Sequence, residues 1–167
     1  MRPTLPAALI LCLVTQTAVA GGTLQGRIVT LNTLTYDDPA APILESRGRT
    51  VTVGDGVEFG LGPEYRTPGF DVVPVQVQIS PTRIEFSYGG DHGTFWSSRF
   101  NGYVLRFETD CALFDRVTID TAATTMAVTQ ADIHTEAGAL FINVAARAYG
   151  PEVTLALDLA VTDCPLS

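Results

Sequence analysis

The amino-acid sequence predicts an all-β protein, an antiparallel β-sandwich that is jelly-roll-like in its run of short strands. Three observations carry that expectation. Apolar residues recur at every second position in one segment after another, which turns one side of each segment into a core and the other toward water. Turn-forming clusters of Gly, Pro and Asp interrupt the chain about every 10 residues, the spacing of short strands joined by tight connections. No stretch carries the apolar stripe of a buried helix, and the short connections leave no room for the long crossovers of a parallel sheet.

Taken in order, Met1–Ala20 reads as a leader rather than as part of the fold. It holds one basic residue, Arg2, an apolar run from Ala7 to Val14, and Ala18-Val19-Ala20 as a small-x-small cleavage site. That is the layout of a secretory signal peptide. The run is shorter than the about 20 apolar residues that span a bilayer. No later segment is longer, so no transmembrane segment is expected. Cys12 lies inside the apolar run rather than at its end, so it is read as discarded with the leader and not as a lipidation site. The chain is expected to be exported, to the periplasm or outside the cell, as a single domain over residues 21–167.

Within that domain early strands are expected over Thr23–Thr33, Thr50–Val53 and Val57–Phe59. The segment Gly60–Gly69, with two prolines and three glycines, is the longest expected irregular loop. The strongest alternation follows: Val73, Val75, Val77 and Ile79; Ile84, Phe86 and Tyr88; Tyr103, Leu105 and Phe107; Val117, Ile119 and Thr121; Leu140, Ile142 and Val144; and Val153 through Val161. Pro74 marks an edge or a bulge. Weaker strands are expected at Thr94–Phe100, Thr125–Val128 and Asp132–Thr135. Ala122–Ala131 is rich in Ala, but its Thr and Val residues disfavour a helix. The turns fall at Asp37-Asp38-Pro39, Gly54-Asp55-Gly56, Gly89-Gly90-Asp91 and Tyr149-Gly150-Pro151.

A hydrophobic fraction of 46% with 17% charged residues describes a globular chain rather than a disordered one. Its ten basic residues are all Arg, and 18 acids give a net charge of −8. A nucleic-acid binder needs a basic face, so no nucleic-acid partner is expected, and the acidity opposes docking on anionic lipid. Two cysteines lie beyond the leader, Cys111 and Cys164. In an oxidising compartment that pair is expected to form one disulfide, which would stabilise by roughly 4 kcal/mol in the chain-entropy model.

The order Gly56-Val57-Glu58-Phe59, a Gly/Pro-rich loop, Phe70-Asp71, the Ile79–Ile84 segment and then Phe100-Asn101-Gly102-Tyr103 resembles domains of small exported bacterial proteins that often carry a C-terminal sorting tail. The resemblance covers about Thr50–Asp163. It implies a β-sandwich and an exported location, with no assigned activity and no catalytic residue. The present sequence ends at Ser167 without such a tail.

The sequence has no G-x-S-x-G elbow, P-loop, dinucleotide Gly fingerprint, H-E-x-x-H or EF-hand loop. The richest local constellation is Tyr88-Gly89-Gly90-Asp91-His92-Gly93-Thr94-Phe95-Trp96. Glycines free the backbone there, a carboxylate and an imidazole sit at the tip, and aromatics flank it. Tyr88, Asp91, His92 and Trp96 are therefore candidate ligand contacts, suited to a sugar ring with its apolar face and hydroxyl edge. The competing reading is a hairpin turn with Tyr88 and Trp96 in the core. Calcium is a further candidate, through Asp37, Asp38, Asp55, Glu58, Glu64, Asp71 and Asp91 in or beside loops, although no ligand order stands out. Glu58 is either an outward residue between Val57 and Phe59 or, in the opposite register, a buried acid needing a partner such as an Arg. His134 is expected on the surface.

The expected function is that of a non-enzymatic binding or structural domain whose partner is a glycan or an extracellular protein. The alternatives are a small polysaccharide hydrolase working through two carboxylates and a subunit of an extracellular assembly joined through a sheet edge.

Overall fold

The computed structural model describes residues 22–61, 73–107 and 112–163. The expected leader, Cys111, Cys164 and most of the Gly60–Gly69 segment expected as a loop lie outside the described residues. Among the described residues the fold is all-β and antiparallel, with one short 3-10 turn at Gln130–Asp132. No helix among them is long and apolar enough to cross a membrane.

Two sheets face each other across one core. The first has the order β10 (Ile133–Glu136), β11 (Ala139–Asn143), β8 (Phe100–Arg106), β1 (Ile28–Tyr36), and both β2 (Leu44–Glu45) and β3 (Arg49–Thr52) pair along the remaining edge of β1. The second has the order β4 (Val57–Phe59), β5 (Val75–Ser80), β6 (Arg83–Tyr88), β13 (Thr154–Asp163), β9 (Ala112–Ile119). A two-residue ribbon of β7 (Gly93–Thr94) and β12 (Ala148–Tyr149) stands apart from both sheets.

The alternation works as the sequence predicts. Leu31 and Leu105 pair across β1 and β8, and Ile84 and Leu157 pair across β6 and β13. Ile84, Leu105 and Leu157 are fully buried in a single cluster that draws from both sheets, with Leu31 packed against it. The Phe86 ring of one sheet stacks on Tyr103 of the other with centroids 5.3 Å apart. Each such aliphatic or aromatic side chain contributes about 1.5–3 kcal/mol by leaving water. Gly102 lets β8 approach β11: a Cβ there would sit 1.9 Å from the Ile142 carbonyl oxygen.

Three expectations shift. The first strand begins at Ile28, not Thr23, because Leu24–Arg27 forms a turn, with Gly26 at φ +79° and the Arg27 N–H donating to the Leu24 carbonyl. That strand then runs on to Tyr36. Thr94–Phe100 is mostly irregular, β7 covering only its first residue. Thr125–Val128 is not a strand; the N–H groups of Thr125 and Met126 both donate to the Thr154 carbonyl, which pins a loop to the start of β13.

Two irregularities re-aim side chains. In β9 the register with β13 slips at Asp115, so Phe114 and Val117 both pack against the core despite their odd separation. In β4 the register with β5 slips at Glu58. Val57 is exposed while Glu58 and Phe59 are both buried. Neither simple alternation describes Glu58: its carboxylate accepts the N–H of Gly54 at 3.0 Å and of Ile79 at 2.6 Å, while Arg49 donates to its backbone carbonyl. The acid fills the bonds that the bulge leaves open.

At the end where β1 begins, Arg27 is buried and pairs with Asp163 at the end of β13, and it also donates to the Thr23 carbonyl.

Candidate ligand-binding cleft

At the opposite end of the sandwich the two sheets do not close. A cleft of about 540 Å³ opens there, lined by the second half of β1, the Ile43-Leu44 segment, Val73, the first half of β8 and the β7–β12 ribbon. The alternation that buries Val29 and Leu31 continues along β1 to Thr33 and Thr35, and on β8 their register partners are Tyr103 and Asn101. All four line the cleft. The same period of two thus delivers polar side chains to an inward face, where the sequence alone offers no sign of a cavity.

Trp96 stands on the rim, 73% exposed, the most exposed large apolar side chain among the described residues. Ile43, 57% exposed, stands on the rim as well. The Trp96 backbone is held: its carbonyl accepts from Asn101 Nδ2 at 3.1 Å and from the Ala146 N–H, and the preceding Phe95 N–H donates to the Arg147 carbonyl. Asn101 is itself bound by the Thr35 hydroxyl at 3.0 Å. Phe95 turns inward, its ring 5.0 Å from that of Tyr149 and within aromatic contact of Tyr88 and Tyr103. The result is a free indole on an anchored main chain, so little ordering remains to be done when something binds.

Beneath the rim, Thr33 Oγ1 and the hydroxyls of Tyr103 and Tyr88 are buried without a hydrogen-bond partner. Burial pushes the pKa of both phenols well above that of a free tyrosine. The two hydroxyls face one another closely enough that each shifts the other's ionisation. Among the described residues that line the cleft, none is charged.

The structure separates the four candidates of the 88–96 segment, which is not the hairpin expected as the competing reading: β7 pairs with β12 and not with β6. Trp96 is on the cleft. Tyr88 is a buried core residue behind Phe95. Asp91 and His92 are exposed in the connection from β6 to β7, outside the cleft lining. His92 Nε2 meets Glu152 Oε2 at 2.9 Å, with both side chains mostly in solvent, and Gly150 leaves room for the imidazole. His134 is also exposed, beside Glu136 and against the Phe141 ring. The sequence reading missed Thr33, Thr35, Asn101, Tyr103, Tyr149 and Ile43. Its usable signal was the parity of β1: Val29 and Leu31 put Thr33 and Thr35 on the inward side.

The loop acids proposed for calcium are dispersed. Asp37 accepts the Arg99 N–H, Asp38 the Ala40 N–H, and Asp55 the Gln25 amide. Glu58 closes the β4 bulge, and Glu64 and Asp71 lie outside the described residues. Among the described residues no three His, Cys, Asp or Glu side chains come together as a metal site.

No family model matches this chain, and neither do any curated protein or solved structure.

Proposed function

We propose that this chain is an exported binding domain that holds a glycan in the cleft beside Trp96. The single observation that carries the reading is an indole 73% exposed on a pinned backbone at the mouth of a cleft lined by Thr33, Thr35, Asn101 and Tyr103. A sugar ring presents an apolar face and a hydroxyl edge, and this arrangement offers a partner for each. The volume is in the range of small-molecule sites. Among the described residues the lining carries no carboxylate, which favours binding over hydrolysis by two acids. The leader supports export, and the resemblance to exported β-sandwich proteins agrees with it. The same compartment supports a Cys111–Cys164 disulfide. Ala112 and Asp163, the residues beside those cysteines, are register partners across β9 and β13.

The test uses the one tryptophan of the chain. Its fluorescence and the melting temperature are followed during titration with a panel of oligosaccharides. A ligand that binds only the folded state adds about 2.7 kcal/mol of stability at a hundredfold excess over Kd. A sugar that shifts both signals in the wild-type protein, with the melting shift abolished by Trp96→Ala, supports the reading. Silence across the panel, joined to capture of a protein partner through Trp96 and Ile43, would replace the glycan with a protein surface. A melt lowered by EDTA and restored by calcium would bring the loop carboxylates back as a site. Thiol titration with and without reductant reads the disulfide.

A further inference from the structure

We propose that Asn143 is the positioning residue of the cleft: its carboxamide ties the turn that carries Trp96 to the turn that follows β11, and so holds the indole where a ligand meets it. The proposal deepens the glycan reading of the same cleft. It rests on that reading for the ligand, but not for the hold on Trp96.

Asn143 is the last residue of β11 and the register partner of Gly102. It is not among the described residues that line the cleft, so it acts through others. A carboxamide offers two acceptor sites and two donors, and three of the four are used here. Oδ1 accepts the N–H of Asn101 and of Ala145, each at 3.1 Å. Nδ2 donates to the Arg99 carbonyl at 3.1 Å. The bond to Ala145 closes a turn two residues on, a conformation that an asparagine side chain sets for its own backbone. The other two bonds grip the chain on either side of Phe100, where it leaves the rim and enters β8.

Both gripped segments converge on Trp96. Asn101 Nδ2 and the Ala146 N–H donate to its carbonyl, and the Phe95 N–H donates to the Arg147 carbonyl. Ala146 is the one residue other than glycine with a positive φ among the described residues, at +58°. Glycine or asparagine suits that conformation, and an alanine in it persists only where its surroundings fix it. Here the Arg147 N–H donates to the Val144 carbonyl across the turn, and Asn143 holds the residue before Ala146. The main chain beneath the indole is thus set before anything binds, and the ordering cost of binding falls accordingly.

The experiment reads Trp96 directly, with no ligand present. Backbone nitrogen relaxation is recorded on the wild-type protein, Asn143→Ala and Asn143→Asp. The Trp96 and Ala146 amides are expected to show order parameters of about 0.85 in the wild type and below about 0.6 in Asn143→Ala. Asn143→Asp keeps both acceptor bonds and loses the donor, so it is expected to lie between the two. Ile84→Val is the control: it lowers the melt and leaves Trp96 as ordered as before. The binding arm titrates cellotriose, maltotriose and chitotriose. The sugar that binds is expected to bind about tenfold more weakly to Asn143→Ala, and Asn143→Asp to recover part of the loss. An Asn143→Ala protein that melts lower but keeps the wild-type order at Trp96 would make Asn143 a stabilising residue only, and that overturns the proposal. A loosened Trp96 that binds its sugar as tightly as before overturns it as well. If Asn143→Ala does not fold, hydrogen exchange on the wild type decides. The Asn101, Ala145 and Ala146 amides should open together with one free energy, and separate opening overturns the coupling. No binding of any of the three sugars, with Trp96 loosened in Asn143→Ala, removes the glycan reading and leaves Asn143 as the residue that holds the indole.

Discussion

At the Arg27 end of the sandwich, β1, β6 and β8 turn Val29, Leu31, Ile84, Phe86 and Leu105 into the core, with Phe107 just beyond β8; at the Trp96 end the same three strands turn in Thr33, Thr35, Tyr88, Asn101 and Tyr103. The pairing and the period of two are continuous along both halves. What changes is the chemistry placed on the inward positions. The first half buries apolar side chains that have nothing to satisfy, and so it carries most of the stability. The second half buries three hydroxyls at a cost of about 1–3 kcal/mol each when unpaired. Strand geometry decides which residues face inward, but only residue type decides whether that interior is a core or a site. The apolar core and the polar cleft thus occupy opposite ends of one scaffold.

This contrast can be broken by substitution. Leu105→Ala, in the apolar half, should have the largest effect, a loss of about 2–5 kcal/mol by urea denaturation. A loss below about 1 kcal/mol would remove the distinction between the halves. Glu58→Ala leaves the N–H groups of Gly54 and Ile79 unpaired at the β4 bulge, and should cost about 2–3 kcal/mol in the same assay, with Glu58→Gln costing less.

Asp132 tests how the cleft half is held in place. Burial raises its carboxyl pKa, but the N–H and hydroxyl of Thr129 and the Arg147 guanidinium outweigh burial and hold it below the usual carboxylate value. A group depressed in the fold takes up its proton more readily when unfolded. Its contribution is therefore complete above about pH 4 and lost as the pH falls through the folded value. Asp132→Asn should lower stability by about 1 kcal/mol at neutral pH and by less in acid, read from urea melts across a pH series. Parallel curves for variant and wild type would rule this account out. Trp96→Ala should have the smallest effect on stability, within about 0.5 kcal/mol, while binding at the cleft is lost.

Much of the fold was legible because it depends on local alternation. Ile79, Ile84, Phe86, Leu140, Leu155 and Leu157 are inward wherever the strand sits in the sheet. The bulges at Glu58 and Asp115 were not legible, since each depends on what a partner strand does. The cleft was half legible. Trp96 stood out as a lone tryptophan beside a glycine-rich turn, but Asp91 and His92, neighbours in sequence, lie outside the cleft lining. Of its true neighbours, Asn101 lies only five residues on, across the turn before β8, while Thr33 comes from a strand distant in the chain and arrives through sheet pairing with β8.

The ion pair of Arg27 with Asp163 gives the molecule a direction. It gathers the first and last described segments at one pole, and roughly 25 Å of strand separates that pole from Thr35 at the cleft. Any leader, tether or fused domain joined at either side would depart from the pole of the ion pair. A protein so attached to a support or a cell surface would present its open mouth outward, like a cup on a stem, with the approach to Trp96 left clear.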